Sequence, residues 1–337
     1  VEARLGVLFA EEHDRWAAVD PDLAAPFNAL REYTMAGGKR LRPAFCYWAF
    51  VGAGGDLHDQ SVVDAGAGIE MLHTAALLHD DIIDGSERRH GAETLHLRFA
   101  GLHRDRAWSG RPERFGEGVA ILIGDLALVY SSRLLAGAPA VAGAVFEEMR
   151  LEVNVGQYLD ILSSAEGLTG PEAETRARRV YRYKTAKYSI ERPLHLGAAL
   201  AGPDRFAELA EPLSDFGLPL GEAFQLKDDL LGVFGDPART GKPVGDDLRE
   251  GKITLLASLA AQRDARFVEF FGAPGLEETG VAVLQEMIEA TGARAEVEAM
   301  LAELVGRAEA ALGALPLEDE ARARLGELAL YVEGRDR

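Results

Sequence analysis

The 337-residue sequence predicts an all-α fold, read as one large domain over 1–337. Three observations carry that expectation. Apolar residues recur at three- and four-residue spacings through one segment after another. Sustained period-two alternation with β-branched residues is missing, so no sheet is expected. The joints are short Gly, Pro and Asp groups, and no low-complexity linker divides the chain.

In order, the spacing predicts helices over 26–36, 41–53 and 59–84, the third set off by Gly52-Ala-Gly-Gly-Asp56 and carrying the apolar run Ile69 to Ile83. Next come 117–136 and 139–163, the latter closed by Gly167-Leu-Thr-Gly-Pro171. Segment 172–200 ends at Gly202-Pro-Asp204, and 204–231, with its run Phe216 to Leu231, ends at Gly235-Asp-Pro237. A helical tail follows at 252–262, 281–290, 293–313 and 317–332. Between the third and fourth helices, Gly101 to Gly116, with Arg104, Arg106, Arg111 and Arg114, reads as a solvated polar loop. Aspartate runs recur once, with no short fixed period, which excludes a solenoid.

Hydrophobic residues make up 47% of the chain, ample for a packed interior. Lys+Arg 36 against Asp+Glu 55 gives a net charge of -19, which argues against non-specific nucleic-acid binding. Any anionic substrate must then meet a locally basic pocket or metal ions. Cys46 stands alone in an apolar run, an inert core thiol with no disulfide partner. Residues 1–15 lack the apolar centre of a signal peptide, and no stretch of 18 uncharged apolar residues occurs. A soluble cytoplasmic protein without stable membrane insertion is expected.

Two aspartate clusters lie on apolar runs: Asp80-Asp81-Ile-Ile-Asp84 and Phe224-Gln225-Leu-Lys-Asp228-Asp229. Aspartate is a poor helix former and is seldom fully buried without a partner. Carboxylates bunched this tightly point to a hard divalent cation; Mg²⁺ takes one or two carboxylates plus substrate phosphates. At about 100° per residue Asp80 and Asp84 share a helix face, with His73 on the same stripe roughly 10 Å lower. These aspartates follow their apolar run, the wrong end for carboxylates that merely favour a helix dipole.

Basic groups flank the acidic ones. Gly37-Gly38-Lys39-Arg40-Leu41-Arg42-Pro43 sets cations behind two glycines that let backbone N–H groups approach an anion. It is not a P-loop, because that spacing fails. Arg88-Arg89-His90-Gly91 follows Asp84. Lys184-Thr185 lies within an amphipathic helix, and Gly241-Lys242-Pro243 with Gly245 to Lys252 holds lysines fit to fold over phosphates.

With these motifs in order from Gly37 to Lys252, the chain resembles the trans-isoprenyl diphosphate synthases, or polyprenyl synthetases. The family's G-G-K-R-x-R-P stands at 37–43, and its H-T-x-x-L-x-H-D-D-x-x-D helix at His73 to Asp84. Its K-T motif is Lys184-Thr185, its second acidic motif Phe224 to Asp229, and its G-K-P…D-L…G-K loop Gly241 to Lys252. The resemblance implies a bundle of mostly antiparallel helices around a central cavity, the isoprenoid synthase type. It implies an allylic diphosphate (dimethylallyl, geranyl or farnesyl) clamped by three Mg²⁺ on Asp80, Asp84 and Asp228. Lys184, Thr185, Arg89, Lys242, Lys252 and Gln225 would hold that diphosphate, with Asp81 in the first motif. Isopentenyl diphosphate would sit on Lys39, Arg42 and His73. Loss of diphosphate would give an allylic cation, attacked by the isopentenyl double bond. A homodimer is implied, with Val119 to Leu135 as its face, apolar on more than one side.

Two positions depart from the family. Aligned on Gly91, His90 stands where an arginine commonly contacts isopentenyl diphosphate; with a reference pKa of about 6.5 it is a weaker, pH-dependent anion partner. Gly232 stands where D-D-x-x-D requires its last aspartate, and Asp236 substitutes only if the helix continues past Gly235, before Pro237. A terpene cyclase shares the helical fold but needs N-D-x-x-S-x-x-x-E, absent from residues 204–260. A silent partner subunit would be expected to lack the first aspartates. Product length is expected to follow from Ala76, one turn or about 6 Å below Asp80, its neighbour Ala75, and Leu72 a further turn down. In the family, large aromatic residues at the two alanine positions stop elongation early. Two alanines imply a product beyond fifteen carbons, geranylgeranyl diphosphate.

Overall fold

A computed structural model of the chain describes residues 1–89, 91–168, 172–235, 245–273 and 275–334. The fold is all-α, with one two-stranded hairpin among the described residues. Two compact units are present, Val1–Tyr47 with Gly55–Gly143, and Trp48–Gly54 with Ala144–Arg337.

The first unit holds α1 (Glu2–Ala17), α2 (Ala24–Met35), the start of α3 (Leu41–Gly52), α4 (Gln60–Ile83), the hairpin β1 (Arg88–Arg89) and β2 (Ala92–Glu93), α5 (Leu95–Asp105) and α6 (Pro112–Leu134). Asp59 starts α4 by accepting the Ser61 N–H at 2.7 Å, an N-cap. The helix packs on α6 at two glycines: a Cβ at Gly68 would stand 2.2 Å from Leu135, and one at Gly124 2.2 Å from His79. Only bare Cα positions allow so close an approach. On α6, Ala120, Ile123 and Ala127 are buried while Leu122 and Val129 are exposed, so the helix is apolar on two sides, as expected. By length and composition alone α6 is also apolar enough to cross a membrane.

Three local features differ from the sequence reading. Segment α1 escaped it, although Leu5, Leu8, Phe9 and Glu12 are buried at helical spacing. Residues 101–105 are the end of α5, whose buried face is Leu95, Phe99, Ala100 and His103. Four exposed arginines at 104, 106, 111 and 114 masked that periodicity. The hairpin's strands of two residues each are too short to show alternation; Arg88 pairs with Glu93 and Arg89 with Ala92.

The second unit holds α7 (Ala140–Glu166) from Ala144 on, α8 (Ala173–Val180), a π-helix (Tyr181–Glu191), α9 (Arg192–Leu200) and α10 (Pro203–Phe234). After it come α11 (Asp246–Glu250), α12 (Leu255–Arg263), α13 (Phe267–Phe270), α14 (Glu278–Ala290), α15 (Ala293–Ala314) and α16 (Asp319–Glu333). Leu226, Leu255, Leu256, Phe267, Leu284 and Val297 form one apolar core beneath α10. Each such side chain contributes about 1.5–3 kcal/mol on burial. Helix 172–200 is continuous, as expected, but its centre winds i→i+5, a rare form found mostly at functional sites. Glycines on both neighbours admit it. A Cβ at Gly156 of α7 would stand 2.3 Å from Lys184 N, and one at Gly221 of α10 2.4 Å from Ala186 Cα.

Candidate active site

In the first unit, α4 ends in carboxylates. Asp80 and Asp81 lie in its last turn and Asp84 caps it, donating its N–H to the Asp80 carbonyl at 2.8 Å. A helix C-terminus carries partial negative charge, so this placement is unfavourable unless cations answer it. Asp81, 1% exposed, is answered within the protein. One of its oxygens accepts from the Tyr33 hydroxyl at 2.7 Å, the other from Arg89 Nε and Nη2 at 2.8 and 2.6 Å. Burial opposes the Arg89 charge, but Asp81 outweighs it and raises the guanidinium above its ordinary range. Burial, then Asp81, pushes the Tyr33 hydroxyl up. Asp81 therefore fixes Arg89, whose Nη2 also lies 3.9 Å from Asp80.

The half-buried His73, Ala76 and Asp80 and the exposed Asp84 form one stripe along α4. Ala75 and Leu72 are 0% and 1% exposed and belong to the core, so of the three expected chain-length residues only Ala76 shares the stripe of Asp80.

The basic loop turns on Gly37 and Gly38 at φ +127 and +126. Arg40, at φ +50, donates to the buried Glu70 at 2.5 Å and to the Thr34 carbonyl at 2.8 Å. That clamp ties the loop to α4 and leaves Lys39 exposed and Arg42 half-buried.

The second unit repeats the pattern. Asp229, 1% exposed, accepts from the Tyr181 hydroxyl and, at 2.8 Å, from Gln225 Nε2. Thr185 Oγ1 donates to Gln225 Oε1 at 2.6 Å, and the Tyr181 oxygen accepts the Leu255 N–H at 2.6 Å. Burial pushes the Asp229 carboxyl up to about 7, against the pull of Lys252. In both units a tyrosine 48 residues upstream anchors the second aspartate of a D-D pair. Asp228 is half-buried.

Lys184 Nζ donates to Asp160 at 2.6 Å. Lys252 is raised above the ordinary lysine range by Asp247 foremost, then, against burial, by Asp229, Asp160 and Asp228. Four carboxylates thus gather about two lysines, a hard oxygen donor set with excess negative charge. Such a set fits a divalent cation. Among the described residues no three His, Cys, Asp or Glu cluster tightly enough to cage a metal alone.

The structure brings Asp80, Asp81, Asp84 and Arg89 together in one unit, and Lys184, Thr185, Gln225, Asp228 and Lys252 in the other. His90, Asp236 and Lys242 lie outside the described residues. Helix α10 ends at Phe234, and Gly235 is extended. Sequence reasoning missed Tyr33, Asp160 and Tyr181, and placed Arg40 in the basic loop without its clamp on Glu70. Asp160 stands four residues after Gly156, the glycine that admits Lys184, but nothing in an isolated carboxylate on an amphipathic helix announces this.

Residues 25–289 match the polyprenyl synthetase family. The chain is 37% identical over 249 residues to a geranylgeranyl diphosphate synthase of Mycobacterium tuberculosis, covering 71% of this chain and 64% of that protein. It is 32% identical over 295 residues to a geranylfarnesyl diphosphate synthase of Aeropyrum pernix, covering 84% and 86%. Among solved structures, the geranylgeranyl pyrophosphate synthase of Corynebacterium glutamicum, complexed with isoprenyl diphosphate and magnesium, matches with a TM-score of 0.86. The identity is 40%, over 97% of this chain and 96% of that one.

Proposed function

The chain belongs to the polyprenyl synthetase family and is a prenyltransferase, and from that premise we propose that it makes geranylgeranyl diphosphate. Isopentenyl diphosphate is joined head-to-tail to a dimethylallyl, geranyl or farnesyl diphosphate. The partition within each D-D pair carries this reading. Asp81 and Asp229 are buried with both oxygens engaged, while Asp80, Asp84 and Asp228 keep solvent access.

In this reading Asp80, Asp84 and Asp228 hold Mg²⁺, three ions in all. A metal held by these residues would supply positive charge against the charge that grows on the departing diphosphate. Arg89, oriented by Asp81, is a diphosphate-binding cation in this reading, as is Lys184, oriented by Asp160; Gln225, Thr185, Lys242 and Lys252 are further diphosphate-binding residues. Preorganised cations aimed at developing charge stabilise the transition state without reorganisation. The allylic C–O bond breaks with its electron pair leaving on diphosphate. The isopentenyl double bond, held through Lys39, Arg42 and His73, attacks the allylic cation. A proton then leaves to the departed diphosphate and restores the alkene. Ala76, without bulk on the Asp80 stripe, leaves room for a growing chain.

The enzyme works as a cytoplasmic homodimer and 1–337 as one synthase domain. The exposed Leu122 and Val129 on α6 support the dimer, because a partner would cover them. A sedimentation profile that stays monomeric at micromolar concentration refutes it. The function itself is tested by incubating purified protein with isopentenyl diphosphate, each allylic primer and Mg²⁺, then measuring product length. A twenty-carbon product is expected. Termination at fifteen carbons overturns the product assignment, and no condensation with any primer overturns the activity.

A further inference from the structure

Glycines at 156 and 221 make room for the π-helix Tyr181–Glu191, but room alone does not favour an i→i+5 turn over the commoner α form. A buried ion network on the far half of the helix bears on that choice. Glu152 of α7 is 6% exposed, and its Oε1 accepts from Lys187 Nζ at 2.6 Å and from Arg192 Nη2 at 2.8 Å. Its Oε2 accepts from Arg192 Nε at 2.6 Å. Burial opposes the Glu152 charge, but Arg192 and then Lys187 outweigh it and hold the carboxyl below its ordinary range.

Lys187 and Arg192 are five residues apart in the chain. At about 100° per residue an α-helix would point them roughly 140° apart, toward different neighbours. In an i→i+5 turn they return to nearly the same side, where one carboxylate can hold both. The rest of the network matches that arrangement. Lys187 also lies 3.3 Å from Glu191 Oε2, and Glu191 Oε1 accepts from Ser214 Oγ of α10 at 2.7 Å. Arg192 Nη1 donates to His195 Nδ1 at 3.1 Å, while Nε2 of that ring donates to the Ala210 carbonyl at 2.9 Å and lies 3.0 Å from Ser214 Oγ. Two carboxylates thus face two cations and a neutral imidazole across α7, the π-helix, α9 and α10. None of these groups has a part in the proposed chemistry.

We propose that Glu152 is a positioning residue for the condensation: by gripping Lys187 and Arg192 together it selects the wide winding of the π-helix and so sets Lys184 and Thr185 in place. Helix α9 is buried from Pro193 to Leu200 and is not free to turn. Reversion of the π-helix to α winding would therefore rotate Lys184 and Thr185 off Asp160 and Gln225, each of which they meet at 2.6 Å. The inference rests on the reading of Lys184 as a diphosphate-binding cation and goes beyond it by naming the carboxylate that sets its direction.

The test is steady-state condensation of geranyl diphosphate with isopentenyl diphosphate in Mg²⁺, with KM read separately for each substrate and the melting temperature beside it. Glu152→Gln keeps the shape and removes the charge. It should raise KM for geranyl diphosphate about 10-fold, the usual cost of one lost hydrogen bond to a charged group, and leave KM for isopentenyl diphosphate unchanged. A role in stability alone would lower the melting temperature and the active fraction but move neither KM, and that result overturns the proposal. Because Glu152→Gln leaves two buried cations short of a partner, a second variant is needed. Glu152→Leu with Arg192→Met removes one charge of each sign and leaves Lys187 to Glu191; such an exchange of a buried ion pair for apolar groups is often neutral for stability. This double variant should melt near wild type and still show the raised KM for geranyl diphosphate. A wild-type KM there overturns the proposal, and decides the matter alone if Glu152→Gln does not fold. Lys184→Met separates the two levels: if it leaves KM for geranyl diphosphate intact, the reading of Lys184 itself fails, whereas a rise there with no rise in the Glu152 variants removes only this inference.

Discussion

Gly156→Ala is the sharpest test of how the π-helix holds Lys184. The added methyl would meet Lys184 N at 2.3 Å, Lys184 Cα at 2.6 Å and the Tyr183 carbonyl carbon at 2.7 Å, all backbone atoms. No rotamer change relieves such a contact. Ordinary contact begins near 3.4 Å, so α7 and the π-helix must part. The separation needed is roughly 1 Å, and a displacement of that size in a group that positions substrate costs on the order of 100-fold in rate. Asp160 rides on α7 and Lys184 on the π-helix, so their 2.6 Å pair is stretched by the same movement. Overpacking adds a stability loss of about 1–3 kcal/mol. The assay is steady-state condensation of an allylic primer with isopentenyl diphosphate, paired with thermal unfolding. A roughly 100-fold fall in kcat in a folded protein is expected, with a lower melting temperature. Gly143→Ala is the control on the same helix, because nothing lies within 4 Å of its Cβ position. It should keep turnover and gain up to about 1 kcal/mol from helix propensity. Normal kcat in Gly156→Ala would show that this glycine does not place Lys184.

Ala76→Phe should shorten the product, because Ala76 shares the open stripe of Asp80; Ala75→Phe, at a fully buried position, should instead lower the melting temperature. Chromatography of the prenyl products separates the two, and unchanged product length in a folded Ala76→Phe enzyme removes that residue as a determinant. Asp81→Asn should cost stability of about 3 kcal/mol or more, since it strips the carboxylate from the largely buried Arg89, and activity should fall with it; an unaltered unfolding midpoint would contradict this. Burial lowers the His195 pKa, and Arg192 donates to its Nδ1 at 3.1 Å while Nε2 meets the Ala210 carbonyl at 2.9 Å. With the folded pKa below the unfolded value of about 6.5, the unfolded chain binds the proton first, so this contribution is intact above that pH and is lost as pH falls through it. His195→Gln should therefore flatten the drop in urea stability between pH 8 and pH 5; the same drop in both proteins would exclude His195 as its source.

Most of the long helices were legible in the sequence because each buries a wide apolar face, and that face repeats every three or four residues. Helix α1 and helix α5 bury narrower faces among many charges, and the arginines around 104–114 overwrite the pattern. Both acidic motifs were legible because several carboxylates on an apolar run need a cation. The division of labour within them was not. Asp80 and Asp81 are adjacent and chemically identical; what separates them is a tyrosine 48 residues away and an arginine eight residues ahead, contacts made only by the fold. Pairing Gly156 with Lys184, or Gly221 with Ala186, likewise depends on how separate elements meet, and a glycine inside a helix carries no label for its neighbour.

That division explains why each motif doubles its aspartate. In the proposed reading the first aspartate of each pair serves a metal and keeps partial solvent access, as half-buried Asp80 and Asp228 do. Its sequence neighbour points about 100° away, into the packed interior. There Asp81 and Asp229 each engage a tyrosine hydroxyl and one further donor, and those bonds fix the rotation of the helix end as well as the partner. In the first unit the partner is Arg89, a cation set beside Asp80; in the second it is Gln225, which carries the constraint on to Thr185 of the π-helix. The buried aspartate is thus the strut of its half-buried neighbour. Replacing either member of a pair should damage the same chemistry by different routes. Loss of Asp80 or Asp228 would weaken metal binding in a protein that still folds well, whereas loss of Asp81 or Asp229 would reach the metal only through the loosened helix and the cation or amide it no longer holds.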